Sequence, residues 1–134
     1  MSEENVEVVR RSWEALEHGG LDAAAEFWDP GIEWRAVEGA LDDIGVFSGR
    51  DAMRRYYEEW VSTFDEFRAG PEEIIFASGD LVGAVIRTAG RARGSAGWVE
   101  GRYAVVYTVR GARIVRGREY ATAGQAREAA GLAG

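Results

Sequence analysis

Cysteine is absent from this 134-residue chain, so it holds neither a disulfide framework nor a thiolate site, and a cytoplasmic location is the expectation. Lysine is absent too. All 16 basic residues are arginine, which fits either a use for planar bidentate contacts or, more simply, a compositional bias of the source genome. Histidine occurs once, at His18 near the end of the first predicted helix, where a cation meets the helix dipole favourably and reads as structural. One histidine and no thiol leave only carboxylates for a metal, which argues against zinc or iron, and no cofactor is expected. No apolar run approaches the length of a bilayer, and the acidic, helix-like start MSEENVEV is unlike a secretory signal. Positive charge is also short: the formal net charge of −7 disfavours nucleic acid and anionic membrane as partners. Neither a phosphate-binding glycine loop nor a nucleophilic triad is found.

What is present suffices for one core. Hydrophobic residues make up 46% and charged residues 29%, and a domain near this size buries about two-thirds of the surface its unfolded chain exposes. Neither a repeat nor a linker is visible, so residues 1–134 read as one domain. Ser2 is placed to cap a first helix with Glu3 and Glu4 in its opening turn and Val6, Val9, Trp13 and Leu16 on one face, ended by Gly19 and Gly20. A short helix from Leu21 to Trp28 is expected next, stopped by Asp29, Pro30 and Gly31, and then a strand over Ile32 to Ala36. The aperiodic stretch Val37 to Phe47 reads as a loop long enough to act as a lid. Ser48 and Asp51 have the spacing of a capping box for a third helix, with Met53, Tyr56, Tyr57, Trp60 and Phe64 as an apolar stripe whose simplest role is core packing.

Four strands follow. Phe67 to Ala77 contains Pro71 and so suits an edge, and Ser78, Gly79 and Asp80 turn into Leu81 to Ala92. Trp98 to Arg110 alternates, with Val99, Gly101, Tyr103, Val105, Tyr107 and Val109 uncharged, and Arg113 to Ala121 returns as a hairpin. A two-residue loop at Gly111 and Ala112 would put Arg116, Arg118 and Tyr120 on the face of Tyr107. A three-residue loop with a bulge would bring Val115, Gly117 and Glu119 there instead. Thr122 and Gln125 form a second capping box for a short terminal helix closed by Gly131 and Leu132. Strands segregated from helices mark an α+β fold.

The stretches VVRRSWEAL, GGLDAAAEFWDPGIEWRA, FSGRDAMRRYYEEW and REYATAGQAREAAGL together resemble the nuclear-transport-factor-2-like superfamily, in its SnoaL-like branch of small bacterial proteins. The resemblance implies a cone-shaped, strongly curved antiparallel sheet wrapped around a long helix, a cystatin-like α+β barrel. It also implies a pocket at the open end and commonly a homodimer through the outer sheet face. Trp98, Ala104 and Val106, opposite Tyr103 and Tyr107, agree with a second covered face. Function is less specified, because the superfamily holds isomerases, cyclases, hydrolases and non-catalytic dimers.

Laid on this chain, the acid, tyrosine and second acid of a ketosteroid isomerase fall at about Ser12, Ala36 and Val105, where those groups are missing. The last-strand motif of the epoxide hydrolases reads Gly117 to Thr122, with Glu119 at its aspartate, while Arg87 is followed by Thr88 and Ala89, without the second acid. Polyketide cyclases use one pocket acid, in about the region of Glu119. The family pattern therefore favours the register that turns Glu119 inward.

The expected pocket holds Trp13, Trp34, Glu38, Tyr57, Trp60, Tyr103, Val105 and Tyr107, with Glu119 as general base and Arg87 or a tyrosine orienting an oxygen. Glu38 and Arg87 each have a solvated alternative, and Glu119 has one in a surface ion pair. The expected partner is a small, largely apolar molecule. The activity is that of a cyclase, isomerase or hydrolase, against non-catalytic ligand binding or a dimeric interaction module as alternatives.

Overall fold

The computed structural model describes residues 2–36, 46–94 and 97–131. Helix α1 (Ser2–Ala25) is interrupted at Gly20, whose φ of 75° and ψ of −166° no helix contains. The two predicted helices are thus both there, meeting at a break, but the second stops at Ala25. Trp28 belongs to β1 (Trp28–Arg35) rather than to a helix. The reason is local: Asp29 Oδ2 accepts from the Gly31 amide at 2.8 Å, a side-chain turn that re-aims the chain, and a bulge between Trp28 and Glu33 keeps both ends of the strand in register. The Ser2 hydroxyl, expected as a cap, lies outside the described atoms.

The expected loop gives way to a strand at its end. Val46 and Phe47 belong to β2 (Val46–Ser48), antiparallel to β1, whereas Glu38 and the rest of the predicted lid lie outside the described residues. Ser48 pairs with Glu33 in that ladder, so the N-cap of α2 (Arg50–Val61) falls to Gly49 at φ 93°, with no side-chain cap bond. That replaces the Ser48–Asp51 capping box. Ser62 and Thr63 turn their hydroxyls back onto the carbonyls of Glu59 and Trp60, both at 2.7 Å, ending α2 before Phe64, which starts β3 (Phe64–Ser78).

Strands β4 (Leu81–Ala92), β5 (Trp98–Arg110) and β6 (Arg113–Tyr120) complete a curved, unclosed sheet in the order β2-β1-β6-β5-β4-β3. Pro71 sits on edge strand β3 beside a register shift, where its missing N–H costs the ladder least. One expectation needs correcting: the sheet is mixed, because β1 runs parallel to β6 while the other pairs are antiparallel. Helix α3 (Ala123–Ala129) is capped by Thr122 Oγ1 accepting from the Gln125 amide at 3.2 Å, and Gln125 Oε1 accepts from the Ala121 amide at 3.1 Å.

The β5–β6 hairpin combines the two predicted forms: the loop is the two-residue one, and the facing is that of the bulged register. Gly111 and Ala112 form a two-residue turn with φ of 57° and 62°, the mirror-image geometry that matches strand twist. A bulge then inserts Val115, so that Val109 faces Ile114 but Tyr107 faces Gly117 and Val105 faces Glu119. The bulge, rather than a longer loop, turns Glu119 inward.

The core lies between α1, α2 and the concave face, with Val9, Trp34, Met53, Ile86, Val105 and Tyr107 at or below 2% exposure. On the convex face α3 packs against β4, β5 and β6, and Ala104 and Ala126 are both fully buried. Part of the apolar outer face is thereby covered within the chain, while Trp98 stays 53% exposed. Among the described residues no helix is long and apolar enough to cross a membrane.

Candidate functional site

Strand parity puts Trp34 of β1, Tyr103, Val105 and Tyr107 of β5, and Gly117 and Glu119 of β6 on the concave face. Glycine at 117 has a packing reason: a Cβ there would stand 2.0 Å from the Trp34 ring, so the indole lies flat over the strand. From that position Trp34 Nε1 donates to Glu119 Oε2 at 2.8 Å. Tyr56, one turn before Trp60 on α2, donates its hydroxyl to the two oxygens of the same carboxylate at 3.0 Å each. Glu119 is 8% exposed and accepts both of these bonds in a ring-lined setting, away from the surface.

Around this node the rings touch in sequence. Trp34 lies 5.9 Å from Tyr107, whose hydroxyl accepts from Trp13 Nε1 at 3.0 Å. Tyr57 meets Trp13 edge-on at 6.1 Å and Trp60 at 5.9 Å, and Trp60 meets Tyr103 at 6.0 Å and Phe67 at 4.7 Å. Burial, first of all, holds the Tyr57, Tyr103 and Tyr107 phenols above their ordinary range, and the Glu119 charge pushes each the same way. All three are therefore protonated donors at neutral pH. The Tyr57 and Tyr103 hydroxyls make no hydrogen bond among the described residues.

Of the residues expected in the pocket, Trp13, Trp34, Tyr57, Trp60, Tyr103, Val105, Tyr107 and Glu119 come together, and Glu38 lies outside the described residues. Arg87 does not join them. It pairs across the ladder with Arg102 on the convex side and forms an ion pair with Glu100, because the Ile86–Tyr103 pair takes the inward parity. Tyr56 was read only as core stripe. A tyrosine in place of phenylalanine on such a stripe implies a partner for its hydroxyl, and that was the available signal. Ser12, Ala36 and Val105 are all buried, so the positions empty of steroid-isomerase groups are interior ones, and Val105 stands directly across from Glu119.

A void of ≈ 20 Å³ is lined by Trp13, Trp34, Tyr57 and Tyr107 among others. A roomier cleft of ≈ 1120 Å³ lies between the end of α1, the end of α2 and the first half of β3, with Leu16, Leu21, Val61 and Phe67 on its walls and Glu17, Glu58, Arg68, Glu72 and Arg87 among its polar residues. Among the described residues no group of three or more histidine, cysteine, aspartate or glutamate side chains is placed to hold a metal ion.

Residues 9–117 match the model of the SnoaL-like domain. The chain belongs to that family. The SnoaL-like domain is similar in fold to Bal32a from a soil-derived mobile gene cassette, at 22% identity and a TM-score of 0.75 over 88% of each chain. It is similar to TerC, co-crystallised with polyporic acid, at 17% identity and a TM-score of 0.75 over 93% of this chain and 96% of that one. A candidate SnoaL-like polyketide cyclase from Jannaschia sp. CCS1 aligns at 18% identity and a TM-score of 0.73, over 88% of this chain and 85% of the other. Identities this low speak for the fold alone. Among curated proteins none matches the chain.

Proposed function

We propose that this SnoaL-like domain takes a small, largely apolar molecule on the concave side of its sheet and uses Glu119 as a general base, in a cofactor-independent isomerisation, cyclisation or hydrolysis. One observation carries the reading: a carboxylate 8% exposed on a wall otherwise made of rings and aliphatic chains. Burying a charge is costly, and the surrounding rings would pack as well on an apolar residue, so core packing gives no reason for an acid there. Trp34 and Tyr56 orient the carboxylate. In a carbon acid, Glu119 would accept the proton next to a carbonyl while the enolate oxygen takes hydrogen bonds from the protonated Tyr57 and Tyr103. A homodimer through the convex face belongs to the same proposal, supported by Trp98, 53% exposed there.

A second reading, ligand binding without catalysis, is favoured by the ≈ 20 Å³ void beside Trp34 set against the ≈ 1120 Å³ cleft. Deuterium uptake from heavy water separates the two. A panel of small ketones, quinones and polyketide-like compounds, with polyporic acid included because TerC was crystallised with it, is followed by NMR alongside thermal shift. The expected result is uptake with the natural chain, none with Glu119→Gln, and stabilisation by ligand retained in both. Uptake that survives Glu119→Gln removes the base from the mechanism. Stabilisation without uptake in either protein supports the second reading.

A further inference from the structure

The cleft and the small void have one lining residue in common, Leu16. On its void side stand Trp34, whose indole donates to Glu119 at 2.8 Å, and Tyr57. On its cleft side stand Leu21, Val61 and Phe67. Leu16 lies one turn before Gly20, where α1 leaves helical geometry, and the short segment beyond the break contributes Leu21 to the cleft and Ala24 to the void. The two cavities therefore meet at the break in α1, and the side chain between them is an aliphatic one on a helix end.

We propose that Leu16 determines specificity by setting how deep a ligand seated in the cleft reaches towards the Trp34–Glu119 node. This rests on the reading that a ligand is taken up on the concave side. A space of ≈ 20 Å³ holds about one water and no carbon skeleton, so among the described residues ligand atoms pass from the cleft towards Trp34 where Leu16 yields. None of the residues lining the void carries a charge. The Glu119 carboxylate behind Trp34 repels an anionic head. The head that fits the void is thus neutral, with the ligand body on Val61 and Phe67 and that head towards Trp34. A larger residue at position 16 confines such a ligand to the cleft, and a smaller one joins the two spaces.

The test is a titration with 2-naphthol, a flat neutral phenol, followed by the Trp34 indole N–H signal and the Val61 and Phe67 amides in ¹H–¹⁵N spectra. Natural chain, Leu16→Ala and Leu16→Phe are compared, with Leu16→Val as the milder truncation of a half-buried residue. In the natural chain the cleft amides shift and the Trp34 indole stays. In Leu16→Ala the Trp34 indole moves as well, and Kd falls by about four-fold for each ligand carbon that passes the partition, the transfer value of one methylene. Leu16→Val moves in the same direction by less, and Leu16→Phe leaves Trp34 still. Cleft shifts with Trp34 moving equally in natural chain and Leu16→Ala, or in neither, overturn the partition and leave the proposed function standing. Silence of Val61 and Phe67 in every protein overturns the ligand seat, and with it the concave-side reading.

Discussion

The two faces of the sheet carry their charges under opposite rules. On the convex side arginines and acids meet across strands in water: Arg87 with Glu100, Arg91 with Glu66, Arg102 with Glu72, and Arg116 with Glu33. The two-pronged Arg102 contact, at 2.7 and 2.9 Å, holds the Glu72 carboxyl below its usual range. On the concave side the buried Glu119 accepts from an indole N–H and a phenol O–H. Water screens the first arrangement, so each exposed pair contributes little to stability. The second sits in a dry wall, where a hydrogen bond to a charged group contributes about 1.5–3 kcal/mol. Stability and site geometry should accordingly answer to the inside and hardly at all to the outside.

The sharpest break of this contrast is alkaline pH. Tyr57, Tyr103 and Tyr107 have pKa values raised by burial in the fold, whereas in the unfolded chain they titrate near the ordinary 10. Between those values the native state binds more protons than the unfolded one, so stability is intact below pH ~10 and declines as pH rises above it. Each phenol contributes up to about 1.4 kcal/mol per pH unit, hence about 4 kcal/mol for the three together. Urea unfolding across pH ~9 to ~12, with tyrosinate absorbance recorded in parallel, reads both quantities. A flat stability with early tyrosinate formation would mean that the phenols are wet, and the contrast between the faces would fail.

Next in size is Gly117→Ala. The added Cβ would meet the Trp34 ring at 2.0 Å and that ring's outer carbons at 2.4 and 2.6 Å, so the indole must leave the strand and with it the Glu119 bond. A loss of about 3 kcal/mol in urea unfolding is expected, together with loss of the hydrogen-bonded Trp34 indole signal. An unchanged indole signal would show that Trp34 has room to move and that glycine at 117 is incidental.

Much of this was legible beforehand, and the misses have physical causes. Alternation over Trp98 to Arg110 and turn chemistry at Gly79 predicted β4 and β5 to the residue. The hairpin register was not readable from local residues, because the bulge at Val115 places no distinctive residue type in the sequence and reverses the parity of everything after it; the family pattern alone favoured the facing that is found. Trp28 was misjudged since an amphipathic helix and an incoming strand both want an apolar residue there, and the Asp29 turn decides between them. Arg87 lies off the ring-lined face because of parity, which local alternation in Leu81 to Ala92 leaves undetermined until Ile86 pairs with Tyr103, and it lines the cleft instead. Tyr56 escaped because a stripe position shows burial but not where a hydroxyl ends.

The smallest effect is the most direct comparison of the two faces. Tyr56→Phe removes one donor from a buried carboxylate, and a loss of about 1.5–2 kcal/mol is expected. Arg116→Gln removes an exposed partner of Glu33, with both side chains more than half exposed, and should cost less than about 0.5 kcal/mol. Raising the salt concentration should erase the second difference while leaving the first almost intact, because a bond shielded from solvent is not reached by counter-ions. Equal losses for the two variants in the same urea melts would mean that Glu119 is solvated in practice. Its orientation by Trp34 and Tyr56 would then be one of many, and a base in that state has no better geometry than any surface glutamate.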